Sequence, residues 1–150
     1  PAILAMARAG RFAWIDHGRA LTSTTYIGNL VDAIELALTR GQPGEAYFIL
    51  DEGTRSLREM ITAMAAAADV TLPDKSIPYP VAAAVAWVCE TLWRATGRTS
   101  MPPLTRHAAM VMARECTLVG QKAARDLGYV PRVSVQEGLR ELRARLHGAG

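Results

Sequence analysis

Few residues of this chain stand at spacings that catalysis requires. The three histidines, His17, His107 and His147, lie far apart and match no spacing typical of zinc ligands. Neither cysteine has a histidine at a motif spacing, and no Gly-x-Ser-x-Gly elbow occurs. The glycine-rich phosphate-binding patterns Gly-x-Gly-x-x-Gly and Gly-x-x-x-x-Gly-Lys-Ser/Thr are also absent. The sequence therefore predicts no catalytic residue, no cofactor-binding residue and no metal site within its 150 residues.

Polar side chains do gather at one junction, where a predicted strand becomes a helix. Thr25 and Tyr26 occupy the junction, and Asn29 follows one turn into the helix. Junctions of this kind commonly line a ligand cleft in open α/β sheets. We therefore expect Thr25, Tyr26 and Asn29 to contact a substrate, with a helix-surface amide as the alternative role for Asn29.

Two later features carry open alternatives. Arg106 begins a predicted helix, where its guanidinium would bind an anionic group of a substrate or pair with Glu115 or Asp126. It is the fourth candidate substrate-binding residue. Trp87 and Trp93 lie on a strongly apolar helix and indicate a core or domain contact, with a ligand platform as the alternative. That helix has few polar residues, so we do not expect it to rest on a membrane surface.

The elements that position these residues are several helices and about three short strands. Apolar spacing and helix-ending residues predict helices over residues 1–9, 27–40, 56–68, 81–94, 104–114, 121–126 and 134–146. The second of these carries one apolar stripe, formed by Ile27, Leu30, Val31, Ile34 and Leu38. Capping boxes at Ser56–Glu59 and Ser134–Glu137 fix two of the helix starts. Runs rich in aromatic, branched or Thr residues predict strands over 11–15, 20–26 and 46–50.

The predicted strand over residues 46–50 has no hairpin partner next to it. A lone buried strand leaves its backbone N–H and C=O groups unpaired. We therefore expect its partner strands to come from a missing N-terminal part of a longer protein, or from a second copy of this chain. The first residue, Pro1, leads directly into a helical pattern, which also indicates a piece of something longer.

Composition sets limits on the class of protein. Half of the residues are hydrophobic (50%) and the net charge is +3, so we predict one region over residues 1–150 with a core of its own. Basic and acidic residues alternate, which argues against nucleic-acid binding. No apolar run approaches the roughly 18 residues of a membrane span. Two cysteines outside any Cys-x-x-Cys pair are typical of a reducing compartment, and the cytoplasm is the predicted location.

Three segments in order resemble the extended short-chain dehydrogenases/reductases. TSTTYIGNLVDAIELAL (residues 22–38) is similar to the family's strand-to-helix stretch, written roughly Y-V-x-N/D-V-x-x-A. GEAYFILDEGTRSLREMI (44–61) resembles the G-x-x-Y-x-I-x-x-G…S-x-x-E element that follows it. KAARDLGYVPRVSVQEGL (122–139) resembles the C-terminal signature K-A-x-x-x-L-G-Y/W-x-P-x-x-S/T-x-x-E-G-L. PLTRHAAM (103–110) leans toward the sterol dehydrogenase and dihydroflavonol reductase branch.

The resemblance implies a fold and a role. The fold is α/β: a mostly helical C-terminal part of a Rossmann-type enzyme, without the N-terminal Rossmann core. The role is to bind a small, fairly apolar substrate whose hydroxyl or carbonyl group the intact enzyme oxidises or reduces with NAD or NADP. Tyr26 and Asn29 match the Y-x-x-N positions near the family's cleft.

The sequence departs from the family in its catalytic residues. None of the four tyrosines is followed by Lys four residues later, although that spacing places the lysine beside the tyrosine to lower its pKa. We therefore expect this chain alone to be inactive and to bind no cofactor. The alternative hypothesis is a non-catalytic module that dimerises or binds a lipid-like ligand.

Overall fold

The computed structural model describes residues 2–97, 100, 102 and 104–148. The helices in this part of the chain are α1 (Ala2–Arg8), α2 (Ile27–Arg40), α3 (Leu57–Ala67), α4 (Tyr79–Ala95), α5 (Arg106–Ala113), α6 (Gln121–Leu127) and α7 (Val135–Gly148). The strands are β1 (Trp14–Ile15), β2 (Leu21–Thr22), β3 (Arg55–Ser56) and β4 (Ser76–Ile77), and a 3-10 turn covers Asp16–Gly18. The predicted mostly helical chain with short strands is confirmed.

The chain divides into two compact units. The first is formed by Pro1–Leu21 and Ser56–Cys116, and the second by Thr22–Arg55 and Thr117–Gly150. The crossings between them fall inside β2, inside β3 and after Cys116. A single substrate-binding region over residues 1–150 stays a prediction.

The first unit is built around two small apolar clusters. Phe12, Trp14 and Ile61 form one cluster, in which the two aromatic rings meet edge to face at 4.8 Å. Ile15, Ala82 and Ala109 form the other. β1 pairs in parallel with β4, with Trp14 opposite Ser76 and Ile15 opposite Ile77. Of the predicted strand over residues 11–15, only these last two residues form a ladder.

Helix starts in the first unit follow local chemistry. The Ser56 Oγ accepts the Glu59 N–H at 3.1 Å, and the Glu59 carboxylate accepts the Ser56 N–H at 2.9 Å, so the predicted capping box is confirmed. α4 begins at Tyr79, two residues before the predicted start. Its first turn contains Pro80, which fits there because the first helical N–H groups need no partner within the helix.

The second unit packs α2 against α6. Ala33, Ala123, Leu127 and Tyr129 form its buried cluster. α6 closes at Gly128, whose φ of 70° is left-handed and suits glycine. α7 starts at the second capping box, where the Ser134 N–H donates to the Glu137 carboxylate at 2.8 Å. Both sequence-predicted features are therefore confirmed.

Two expectations for the second unit were wrong. Residues 46–50 form no strand, and of residues 20–26 only Leu21–Thr22 do. A β-ladder needs a partner strand, and in this chain side chains bind the carbonyls of the 46–50 segment instead: Lys122 Nζ donates to the Ala46 carbonyl at 3.1 Å.

The apolar stripe of α2 faces outward. Ile27, Val31, Ile34 and Leu38 are 59%, 47%, 52% and 82% exposed. The buried positions of α2 are instead Asn29 and Ala33. Amphipathic spacing shows that a helix has an apolar face, but it does not show whether this chain covers that face.

Candidate functional site

The strand-to-helix junction of the second unit is held by the Asn29 side chain. Asn29 is fully buried, at 0% exposure. Its Nδ2 donates to the Asp51 Oδ1 at 2.8 Å and to the Val133 carbonyl at 2.8 Å. Its Oδ1 accepts the N–H groups of Arg132 and Val133 at 3.1 and 3.0 Å. A carboxamide has two donors and two acceptor sites, so Asn29 has no free hydrogen-bonding group.

Asp51 is the second centre of this network. It is 8% exposed, and its Oδ1 also accepts the Tyr26 N–H at 2.9 Å. Its Oδ2 accepts the Thr24 hydroxyl at 2.9 Å, while its own N–H donates to the Thr24 carbonyl at 2.8 Å. The N-cap of α2 is Tyr26, whose side chain does not cap the helix. The Asp51 carboxylate accepts the N–H of this N-cap residue, which is the part that the N3 carboxylate takes in a capping box.

Tyr26 packs its ring against glycines. A Cβ at Gly28 or at Gly138 would lie 2.8 Å from ring carbons of Tyr26, so both positions leave room for the ring. The Tyr26 hydroxyl donates to the Glu141 carboxylate on α7. That hydrogen bond to a negative acceptor raises the pKa of Tyr26 above its ordinary value. Tyr26 is therefore a neutral hydroxyl that links the junction to α7.

Thr25 joins the junction to the extended 46–50 segment. Its side-chain hydroxyl donates to the Ile49 carbonyl at 2.6 Å. The Tyr129 hydroxyl donates to the next carbonyl, that of Leu50, at 3.1 Å, and burial raises the pKa of Tyr129. The segment is therefore fixed through its carbonyls, while its N–H groups donate to no backbone carbonyl of the described chain.

Arg106 lies in the other unit and uses its charge within that unit. Its N–H and its Nε both donate to the Glu90 carboxylate at 2.8 Å. These bonds lower the pKa of Glu90, the backbone N–H first and the guanidinium second. The pairing partner is Glu90, neither of the two carboxylates considered from the sequence. The Arg106 side chain remains 55% exposed.

The structure brings three of the four candidate residues together. Thr25, Tyr26 and Asn29 adjoin one network, and Arg106 belongs to the first unit. Contact of any of them with a substrate stays a prediction. Sequence reasoning did not single out Asp51. The signal for its role in the sequence is weak: it follows an extended segment, and its hydrogen-bonding partners lie 22 to 27 residues away.

The described side chains of the junction offer hydrogen-bonding groups and no combination of residues typical of catalysis. The described residues contain no group of three or more His, Cys, Asp or Glu side chains that could hold a metal ion. Within the same residues, no helix has both the length and the apolar character needed to cross a membrane. The junction is thus suited to positioning: it ties Thr24 and the start of α2 to Asp51 and to the turn before α7.

Three curated proteins are similar to nearly the whole chain. A 4-hydroxy-2-methyl-3-oxo-4-farnesyl-3,4-dihydroquinoline-1-oxide ketoreductase of Stigmatella aurantiaca is 38% identical over 143 residues, covering 95% of this chain and 43% of that protein. A 2-alkyl-3-oxoalkanoate reductase of Stenotrophomonas maltophilia is 36% identical, covering 96% and 45%. A decarboxylating sterol-4-alpha-carboxylate 3-dehydrogenase of Dictyostelium discoideum is 23% identical, covering 86% and 40%. No family model matches the chain.

Solved structures share the fold. A protein titled gox2253 superposes with a TM-score of 0.65 at 23% identity, over 98% of this chain and 43% of that one. A dTDP-glucose 4,6-dehydratase of Bacillus anthracis, determined with NAD, gives 0.60 at 14% identity, over 100% and 39%. The protein RMD of Pseudomonas aeruginosa, determined with NADPH, gives 0.55 at 13% identity, over 98% and 40%.

The fold and the relatives together define the class. The architecture is that of the C-terminal part of a Rossmann-type α/β enzyme. The chain belongs to the extended short-chain dehydrogenases/reductases, as its three motif segments indicated. It spans less than half the length of the curated relatives described above.

Proposed function

We propose that this chain is the substrate-binding C-terminal portion of an NAD(P)-dependent oxidoreductase that acts on a hydroxyl or carbonyl group of a small, fairly apolar substrate. The observation that carries the proposal is the 38% identity over 95% of the chain to a ketoreductase. The names of the three relatives share a ketone or ring alcohol next to a hydrocarbon group: farnesyl, alkyl or sterol. A small, fairly apolar compound with a ketone or a ring alcohol beside a hydrocarbon group is therefore the substrate class we favour.

The cofactor and the catalytic residues belong, in this proposal, to a part of the protein that the present chain does not contain. The neighbours determined with NAD and with NADPH support a dinucleotide in the complete enzyme. The sequence supports a division of labour, because it has neither the glycine-rich nucleotide motif nor a Tyr-x-x-x-Lys pair. The 150 residues alone are then inactive.

The second unit offers the surface that the cofactor-binding sheet would cover. Residues 46–50 are extended, and their N–H groups point to no backbone partner in the described chain. Phe48 within this segment is 59% exposed, and so is Ile27 on α2. An added strand would pair the free N–H groups, and apolar side chains on the sheet would cover the α2 stripe. A second copy of this chain is the alternative source of that strand.

The candidate substrate-binding residues take different parts in this proposal. Thr25 is exposed and Tyr26 is half-buried, so their side chains border the cleft and meet the substrate. Asn29 has an indirect part, because its buried side chain fixes the junction to which Thr25 and Tyr26 belong. Arg106 belongs to the first unit and stays a candidate there: its exposed guanidinium, which the Glu90 carboxylate holds in place, is available to an anionic group.

The proposed compartment is the reducing cytoplasm. Cys89 and Cys116 are both free thiols in the structure, which is compatible with such a compartment.

A chimera tests the proposal directly. The part of the Stigmatella ketoreductase that precedes its match is fused to this chain, and oxidation of NADPH and NADH is followed with a farnesyl-bearing or alkyl-bearing ketone. We expect ketone-dependent turnover by the chimera and none by the 150-residue chain. A folded chimera that binds NAD(P)H but reduces no such ketone would contradict the proposed function.

A matched pair of variants tests the covered surface. Ile34→Asp changes a stripe residue of α2 that is 52% exposed, and Met64→Asp changes a residue of α3 that is 42% exposed. In the chimera, Ile34→Asp should abolish turnover or assembly because a buried unpaired charge is costly, and Met64→Asp should leave both unchanged. Equal effects of the two changes would exclude α2 as the covered face.

A further inference from the structure

Arg55, the first residue of β3, is a part-buried cation without a counter-charge. Its side chain makes no hydrogen bond, ion pair or ring contact with the described residues, and its Nε is a buried nitrogen that lacks an acceptor. Among the described arginines only Arg58 is similarly withdrawn from solvent, and Arg58 pairs with Asp74 and lies over the Trp14 ring. A desolvated charge without a partner is unfavourable, so Arg55 requires an acceptor from elsewhere.

The acidic residues close to Arg55 in the chain do not supply that acceptor. The Asp51 carboxylate already accepts three hydrogen bonds within the junction. Glu52 is exposed, and no ion pair joins it to Arg55. The acceptor therefore belongs to a bound molecule or to a part of the protein outside the described residues. Two further features favour a bound molecule, namely the way the terminal nitrogens are presented and the place of Arg55 beside the junction.

The Arg55 guanidinium is enclosed at one end and open at the other. Of its three nitrogens, only Nε is both buried and unbonded. Because the two terminal nitrogens have no partner among the described residues either, they reach solvent. Two parallel N–H groups of a guanidinium match the two oxygens of a carboxylate. A guanidinium that is already enclosed at one end loses less freedom on binding than a fully exposed one, so Arg55 is suited to bind an acidic group.

Arg55 lies next to the junction that carries the candidate substrate-binding residues. β3 pairs with β2, and β2 ends at Thr22, three residues before Thr25. On the opposite segment, Asp51 lies four residues before Arg55, and it bonds Thr24 through its N–H and through its carboxylate. The pairing of residues 22–25 with residues 51–55 therefore holds Arg55 beside the junction.

We propose that Arg55 binds an acidic group of the substrate, so that the substrate carries a carboxylate in addition to its ketone or alcohol and its hydrocarbon group. This inference rests on the proposed function, because it takes the molecule beside the junction to be the substrate. The negative charge offsets the desolvated charge of Arg55. Arg106 was the candidate for such a group in the sequence, but its guanidinium already donates to Glu90, whereas that of Arg55 has no acceptor.

Thermal unfolding of the 150-residue chain tests the anion site without any reaction. Hexanoate is the probe, and hexanamide, which has the same shape without the charge, is the control. A ligand that binds only the folded chain raises Tm. At about ten times its Kd, hexanoate should raise Tm by about 3 °C, and hexanamide should leave it unchanged. Equal shifts with the two compounds, or no shift with hexanoate, would overturn the proposal.

Arg55→Met and Arg143→Met form the matched pair of variants for this measurement. Arg143 on α7 is exposed and has no described partner. Arg55→Met should keep or raise the Tm of the free chain, because it removes a desolvated charge, and it should abolish the hexanoate shift. Arg143→Met should change neither, and Arg55→Lys should retain part of the shift, because it keeps the charge without the planar fork. A Tm lowered by more than about 2 °C in Arg55→Met, or failure of this variant to fold, would show a structural role and overturn the proposal.

The chimera described above connects the anion site to the substrate. Its kcat/KM is compared for an alkyl-bearing keto acid and for the methyl ester of the same acid. Arg55→Met should lower kcat/KM at least tenfold for the acid and leave the value for the ester within about twofold, since only the acid forms the charged pair. Equal losses on both compounds would indicate that Arg55 pairs with a carboxylate of the part that precedes this chain, and this result would overturn the proposal.

The two proposals fail in different ways. A folded chimera that reduces neither compound, while the 150-residue chain binds hexanoate through Arg55, would refute the proposed function and support the anion site. Turnover of both compounds that is unaffected by Arg55→Met would refute the role of Arg55 and support the proposed function.

Discussion

Removing the Asn29 side chain tests the central network of the second unit. In Asn29→Ala, the Val133 carbonyl and the N–H groups of Arg132 and Val133 lose their partner, and the Asp51 carboxylate loses one of its donors. An unsatisfied buried polar group costs about 1–3 kcal/mol. Asp51 keeps its bonds from Tyr26 and Thr24, and water can reach the partly exposed turn at 132–133. We therefore expect a loss of about 3 kcal/mol of unfolding free energy.

The assay combines a global and a local measurement. Urea unfolding followed by far-UV circular dichroism gives the free energy of unfolding, and fluorescence of the tryptophans, which lie in the first unit, shows whether the two units unfold together. Amide hydrogen exchange at Arg132 and Val133 reports on the network itself, and both amides should exchange at least tenfold faster in the variant. Gln136→Ala, an exposed change on α7, should stay within about 0.5 kcal/mol of the parent chain.

A second variant separates lost bonds from lost volume. Asn29→Asp keeps the size of the side chain and its two acceptor bonds, but it removes both donors and places a carboxylate beside that of Asp51. It should destabilise the chain at neutral pH at least as much as Asn29→Ala does. The reasoning fails if Asn29→Ala costs less than about 1 kcal/mol, or if the exchange at 132–133 does not change.

Three further changes act on single contacts of the second unit. Ser134→Ala should cost about 1 kcal/mol, because the Glu137 N–H loses its acceptor. The Ser134 N–H first and its hydroxyl second lower the pKa of Glu137, so the stabilisation from the Glu137 charge is present above its unfolded pKa and is lost as pH falls through the folded one. Thermal melts from pH 7 to pH 3 should show this loss in the parent chain and a smaller one in Ser134→Ala. Gly128→Ala should cost about 1–2 kcal/mol in denaturant unfolding, because the position has φ +70° and a Cβ would lie 2.7 Å from a guanidinium nitrogen. Gly138→Ala should displace the Tyr26 ring, 2.8 Å from the new Cβ, and return the raised pKa of Tyr26 toward its ordinary value in an ultraviolet titration.

Matched glycines control the last two changes. Gly44 has φ +79° with no atom within 4 Å of a built Cβ, so Gly44→Ala isolates the backbone strain without the close contact. Gly44→Ala should therefore lower the free energy of unfolding less than Gly128→Ala does, because only Gly128→Ala adds the close contact with a guanidinium nitrogen. Gly148→Ala, at an open position of α7, should leave the Tyr26 titration as it is. Equal costs at Gly44 and Gly128, or a tyrosine titration unchanged in Gly138→Ala, would contradict the packing described for these sites.

Local chemistry made the helices predictable from the sequence. The Ser56 and Ser134 capping boxes and the glycine after α6 each act within three or four residues, so their spacing alone fixes the helix ends. The three family segments could likewise be recognised in the sequence alone. The 38% identity to a ketoreductase over 95% of the chain supports their interpretation. The absence of a Tyr-x-x-x-Lys pair needed no structure.

Tertiary structure decided which side of each element is covered and what each polar group bonds. Asn29 looked like a surface amide or a ligand contact, and it is the buried centre of a network whose partners lie 22 and 104 residues away. The sequence pattern predicted the apolar stripe of α2 and the extended residues 46–50. Whether these side chains are buried depends on which other segments pack against them, and the pattern does not show this. Periodicity records that a helix has two faces, and only the packing of distant segments determines which face meets water. For the same reason, the sequence identified an apolar α4, and the structure showed that Ala82 and Ala86 are buried while its valines are exposed.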